Sequence, residues 1–121
     1  MKRQLDLFIR DVLEYIEKTE RFVSGMSYED FSKDEKTSLA VIRCIEVIGE
    51  ASKNIPDHVR DKYPQIPWKD MAGMRDIIAH AYFGIEIRRI WEVVTVKLPP
   101  LKQHIRQVLD DIASGKTTNA Q

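Results

Sequence analysis

Leu5, Phe8, Ile9, Val12, Ile16, Thr19 and Val23 recur at three- and four-residue intervals. That spacing lines one face of an α-helix. Asp6/Arg10, Glu14/Lys18 and Glu17/Arg21 are acid-to-base pairs four apart on the other face, where they support the helix. Ser24-Gly25-Met26 ends this first helix. Ser27-Tyr28-Glu29-Asp30 has the form of a capping box, which predicts a short turn of helix next.

A second long helix is predicted from about Asp34, a cap, to about Asn54. Leu39, Val41, Ile42, Ile45, Val47 and Ile48 cover much of its circumference, and Arg43, Glu46, Glu50 and Lys53 form one narrow charged stripe. So broad an apolar girth predicts a helix shared between the core and a subunit interface. Pro56 to Tyr63 reads as a short helix with proline near its start, stopped before Pro64. Pro64 and Pro67 bracket a turn, and the next helix runs from Pro67 or Trp68 to Phe83-Gly84. Ile87, Ile90, Trp91, Val94 and Leu98 form the stripe of another helix. Pro99 and Pro100 break or kink it, and Leu101, Ile105, Val108 and Ile112 make the last helix. Strict alternation is absent outside short ambiguous runs such as Val93 to Val96. The expected fold is therefore all-α, an antiparallel bundle of about five helices over residues 1–113. Residues 114–121 are small and polar, and are expected to fray.

The chain has 121 residues, which suits one domain. Its 19 basic and 19 acidic residues cancel, which argues against a non-specific polyanion binder, and no DNA partner is expected. A local phosphate site is still compatible with that balance. Cys44 is the sole cysteine and lies in an apolar helical run, so it reads as a small buried residue. No apolar run reaches membrane-spanning length, and the N-terminus enters an amphipathic pattern directly. A cytoplasmic protein is expected.

The stretch Arg75-Asp76-Ile77-Ile78-Ala79-His80-Ala81-Tyr82 is the chemically unusual one. It places a fixed cation, a carboxylate, an imidazole and a phenol within an otherwise apolar helix. Cutting a phosphodiester requires a group that moves protons and a cation that holds the charge developing on phosphorus. His80 and Arg75 fit those roles. On a straight helix, turning about 100° per residue, Met71, Met74, Ile78, Ala81 and Ile85 form the buried stripe. Asp76 and His80 are four apart, so the carboxylate can take the imidazole N–H and favour its charged form. Arg75 and His80 diverge by about 140°. Ala72, Gly73 and Ala79 leave the surface between the charged groups low, open to a second backbone or a ligand. A snorkelling arginine and a surface Asp/His hydrogen bond account for the same spacing without catalysis.

Arg75-x4-His80-x-Tyr82 resembles the motif of HEPN ribonucleases, in the extended form that marks HepT-type toxins. Residues 48–56, 63–68, 73–76 and 80–84 are similar to that family in the same order. The resemblance implies an all-helical homodimer whose ribonuclease cleft lies where two motif helices meet. It makes Arg75 and His80 catalytic and Tyr82 the residue that an MntA-like nucleotidyltransferase antitoxin modifies with AMP. The family carries a polar residue after the arginine, often Asn, where this chain has Asp76, a supporting residue. RNA supplies its own nucleophile in the 2′-OH, so no cofactor and no metal are expected, and the substrate would be single-stranded or flexible.

His58 and His104 do not join the site by spacing, and no His/Cys/Asp/Glu set has metal-ligand spacing. Arg88 and Arg89 follow Gly84 and either extend a positive rim or are simply solvated. The leading expectation is a metal-independent endoribonuclease toxin. The alternatives are a helical module that presents itself to a nucleotidyltransferase without cutting, and a purely structural helical dimer. The last leaves Arg75, Asp76, His80 and Tyr82 without a shared purpose.

Overall fold

The computed structural model describes residues 5–74, 76, 78 and 87–119. Every regular element among them is helical, as the period of the apolar positions predicts. The first is α1 (Leu5–Val23), followed by α2 (Tyr28–Lys33), α3 (Glu35–Lys53), α4 (Asp57–Lys62) and α5 (Trp68–Ala72). Next come α6 (Ile87–Glu92), a π-helical continuation over Val93–Lys97, and α7 (Leu101–Ala113). No helix among the described residues is long and apolar enough to cross a membrane.

Leu5, Ile9, Val12, Ile16, Thr19 and Val23 are the buried face of α1. The capping box at the start of α2 closes in both directions: Asp30 N–H donates to Ser27 Oγ and Ser27 N–H donates to Asp30 Oδ2, each at 3.1 Å. Asp34 caps α3 by accepting from the Thr37 N–H at 2.9 Å.

α3 is the centre of the bundle. It packs against α1 on one side and α5 on another. Val41, Ile42, Ile45, Ile48 and Ala51 are buried between them, with the Cys44 thiol, which burial pushes up from its ordinary value. The broad girth that suggested a shared interface is thus largely spent inside the chain. Leu39, 54% exposed, and the half-buried Val47 are what that girth leaves outside.

α7 closes the other side of α1 through the buried Leu101, Ile105 and Val108. Two ion pairs cross this seam, Lys102–Glu20 at 2.9 Å and Arg106–Glu17 at 2.7 Å. Later residues of α1 meet earlier residues of α7, so the two helices run antiparallel. Glu17, expected to pair with Arg21 on its own helix, is drawn to Arg106 instead. Asp6/Arg10 and Glu14/Lys18 pair within α1 as predicted.

The connection from α3 to α5 is built on two side chains. Arg60 of α4 reaches back to the end of α3, where its guanidinium donates to Ser52 O at 2.8 Å, Lys53 O at 3.3 Å and Ile55 O at 3.0 Å. Carbonyls at a helix end have no intrahelical donor, and a cation there also meets the negative end of the helix dipole. Tyr63 then ends α4, with its ring buried.

Residues 114–119 are hydrogen-bonded to the bundle, where sequence predicts a frayed tail. Gly115, at φ +80°, turns the chain back, and Lys116 N–H donates to Asp111 O at 2.8 Å while Gly115 N–H donates to Ile112 O at 3.2 Å. This is a Schellman end, which needs the left-handed conformation that glycine adopts freely. Small polar side chains, which predict fraying by composition, here supply hydrogen bonds that hold the segment. Thr117 is buried and its Oγ1 lies 2.6 Å from Tyr63 Oη. Asn119 Oδ1 accepts the Leu5 N–H at 2.7 Å.

Two outcomes are expected. Arg60→Ala should lower stability by about 1–3 kcal/mol, the value of charge-assisted hydrogen bonds left without their donor, measured by urea denaturation; an unchanged midpoint would show that water replaces the guanidinium at no cost. The second concerns Asp111. The hydrogen bonds from Tyr63 and then Gln107, with Lys116 and Lys62 nearby, hold its carboxyl below the usual carboxylate range. A depressed folded value means the stabilisation is complete above the ordinary carboxylate pKa and is lost as pH falls through the folded value. The wild-type melting temperature should therefore fall more steeply over that acid window than that of Asp111→Asn, and equal slopes would contradict the linkage.

Candidate active site and its groove

Trp68 opens the segment that carries the candidate chemistry. Pro67 precedes it as the cap residue, where a missing N–H costs nothing. The indole is buried and its Nε1–H donates to Tyr63 O at 3.2 Å. α5 is short, and this departs from the single straight helix expected up to Gly84. Gly73 N–H donates to Lys69 O at 2.9 Å, and the chain makes a turn at Gly73. Met74, Asp76 and Ile78 are helical again beyond it, and Asp76 N–H donates to Gly73 O at 3.0 Å.

The buried stripe survives that turn. Met71, Met74 and Ile78 are buried, Ala72 is half-buried, and Gly73 and Asp76 are exposed. The low surface expected between the charged groups involves Ala79, Arg75 and His80 and so lies outside the described residues. Arg75, His80 and Tyr82 lie outside the described residues, as do Ala79, Ala81 and Ile85, so the expected Asp76–His80 hydrogen bond falls outside them too.

Asp76 faces a groove of about 530 Å³ that sequence reasoning missed. One wall is Lys69, Asp70 and Gly73, the other is Arg89, Val93 and Lys97, and Met71, Met74 and Leu101 provide apolar lining. The second wall depends on the π-helical segment. Leu98 N–H donates to Val93 O at 2.9 Å, a five-residue step. Pro99 and Pro100 have no N–H, and their rings crowd the carbonyls four residues back. A turn widened just ahead of them relieves that crowding. The ambiguous run Val93 to Val96 is thus neither strand nor ordinary helix. Val93 is buried beside Val94, a residue the regular stripe leaves out. A stack of β-branched residues followed by two prolines was the available signal.

The two adjacent arginines divide between two faces. The Arg88 guanidinium sits 3.9 Å from the centre of the Tyr28 ring, which meets Trp91 edge-on at 6.3 Å. Arg89 turns to the groove with Asp76. His58 is on α4, where its Nε2 donates to Thr118 O at 2.9 Å, and His104 is exposed on α7. Neither histidine lines the groove. Among the described residues, no three His, Cys, Asp or Glu side chains gather as a metal site would require.

Chemically, the groove offers the cations Lys69, Arg89 and Lys97, an apolar lining that suits a base, and the carboxylates of Asp70 and Asp76. A model of HepT-like ribonucleases matches residues 12–108, most of the chain. The chain belongs to the HepT-like ribonuclease family. Membership makes it an enzyme of the ribonuclease class. A probable ribonuclease HepT of Thermococcus cleftensis is 48% identical over 102 residues, covering 84% of this chain and 93% of that protein. Two putative RNases of Methanocaldococcus jannaschii are 42% and 44% identical over 119 residues, each match covering 98% of both chains. No solved structure matches. The match of residues 12–108 includes the whole stretch from Arg75 to Tyr82.

Proposed function

We propose that this chain is a metal-independent endoribonuclease toxin whose cleft contains Arg75 and His80. The supporting observation is the family match across residues 12–108, which spans both residues and Tyr82. The 2′-OH of RNA attacks the adjacent phosphorus, and the bond to the 5′ oxygen breaks. One His80 takes the 2′ proton and another protonates the leaving 5′ oxygen. One such histidine per chain requires a second subunit for the two roles. Arg75 holds the charge on the phosphorane. The products are a 2′,3′-cyclic phosphate and a 5′-hydroxyl. Asp76 supports His80 by orienting its ring.

In this reading the protein acts in the cytoplasm as a homodimer, and two motif helices meet to form the cleft. Lys69, Arg89 and Lys97 then guide the RNA strand along the groove beside Asp76. An MntA-like nucleotidyltransferase silences the enzyme by moving AMP from ATP to the Tyr82 hydroxyl. The added phosphate competes for Arg75 and the base blocks the strand. This is the arrangement of a type VII toxin–antitoxin pair.

Two experiments test this. Arg75→Ala and His80→Ala should each lower RNA cleavage at least about a hundredfold, with circular dichroism unchanged, because neither residue belongs to the apolar stripe. Cleavage at the wild-type rate in either variant would remove that residue from the mechanism, whereas absence of cleavage by the wild-type protein would favour a non-cutting partner of the nucleotidyltransferase. Incubation with the neighbouring nucleotidyltransferase, ATP and magnesium should add AMP to the intact mass, and Tyr82→Phe should abolish the addition. Continued modification of Tyr82→Phe would place the acceptor elsewhere.

A further inference from the structure

The matched family segment ends at residue 108, yet the polar tail beyond it is tied into the bundle. Its anchor is Tyr63. The Tyr63 hydroxyl donates to Asp111 Oδ2 at 2.6 Å and meets Thr117 Oγ1 at 2.6 Å. Gln107 Nε2 holds the other carboxylate oxygen at 2.9 Å. Lys62 Nζ donates to Lys116 O, and the His58 ring donates to Thr118 O at 2.9 Å. Three of these partners, His58, Lys62 and Tyr63, come from α4 and its end. The tail therefore lies as a strap across α4.

The other end of the same tyrosine controls something else. Tyr63 O accepts both the Ile66 N–H at 3.1 Å and the Trp68 indole N–H at 3.2 Å. Trp68 is the first residue of α5, and α5 leads through Gly73 to Asp76 and the candidate catalytic stretch. One residue thus holds the strap with its hydroxyl and the entry of the motif segment with its carbonyl. Between Tyr63 and Trp68, Pro64 and Pro67 have no N–H, so this short link has few other hydrogen bonds with which to define its course.

We propose that Tyr63 is a positioning residue: with the 116–119 strap locked onto its hydroxyl, it sets where the motif segment leaves α4, and release of the strap loosens that entry without unfolding the bundle. The buried ring keeps Tyr63 in the core in either state, so the hydroxyl alone carries the coupling. The strap itself stands on the hydrogen bonds above. Its effect on cleavage rests on the ribonuclease reading.

The full-length protein is compared with Tyr63→Phe and Thr117→Val by hydrogen exchange read by mass spectrometry. Both variants keep the shape of the buried side chain and remove one polar partner. Amides of residues 114–119 should exchange about tenfold faster in both, and those of residues 66–74 should follow, while the centres of α1 and α3 stay protected. On a single-stranded RNA oligonucleotide of mixed sequence, kcat should fall several-fold and KM should rise, because the loosened segment carries both the entry to the motif and the Lys69–Gly73 wall of the groove. Faster exchange in the tail with no change over residues 66–74 would overturn the proposal, as would unchanged exchange in both segments. If the wild-type protein fails to cut RNA, the ribonuclease reading falls, and exchange over residues 66–74 still decides the coupling.

Discussion

The apolar girth of α3 is the constraint on which the bundle depends. A helix whose hydrophobic residues cover much of its circumference cannot be satisfied by one neighbour. Here α1 takes one flank and α5 another. The segment leading to the candidate catalytic residues is therefore carried on the core itself. Met71, Met74 and Ile78 are buried in the same hydrophobic cluster as Ile45 and Ile48. A displacement of α3 would move the motif segment with it, since close-packed interiors transmit small shifts.

On that core, backbone groups that lack partners decide the details. Arg60 fills the end of α3, and Tyr63 O takes the Trp68 indole. Pro99 and Pro100 deprive the preceding turn of donors, and a π-helical turn results. Val93 and Lys97 of that turn line the groove with Arg89 of α6 and Asp76. A local conflict between proline and helix thus shapes the surface on which RNA is proposed to lie.

Charge is used locally. The chain is neutral as a whole, so a long-range field does not draw in polyanions. Much of its charge is spent on holding the fold. Lys102 and Arg106 bind α7 to α1, Arg60 caps α3, and Arg88 covers the Tyr28 ring. Lys69, Arg89 and Lys97 are the cations that gather on the groove. Selectivity for a strand already bound fits that distribution better than electrostatic capture from a distance.

The sequence by itself determined the helical class, the first-helix stripe, the caps at Ser27 and Asp34, and the short helix between Pro56 and Pro64. Each depends on residues within a turn or two of one another, so spacing suffices. It also singled out Arg75, Asp76, His80 and Tyr82, because an ordered motif is a one-dimensional object; of these the structure describes Asp76 and places it, exposed, on the groove. Tertiary structure alone decided the rest. Glu17 chose Arg106 over Arg21, since a partner on another helix offered a 2.7 Å contact that periodicity cannot anticipate. The tail looked frayed because its residues are small and polar, yet buried Thr117 finds a phenol fifty-four positions away in the chain. Local rules count what a residue can do with its neighbours; which distant group completes a hydrogen bond is settled only when the helices pack.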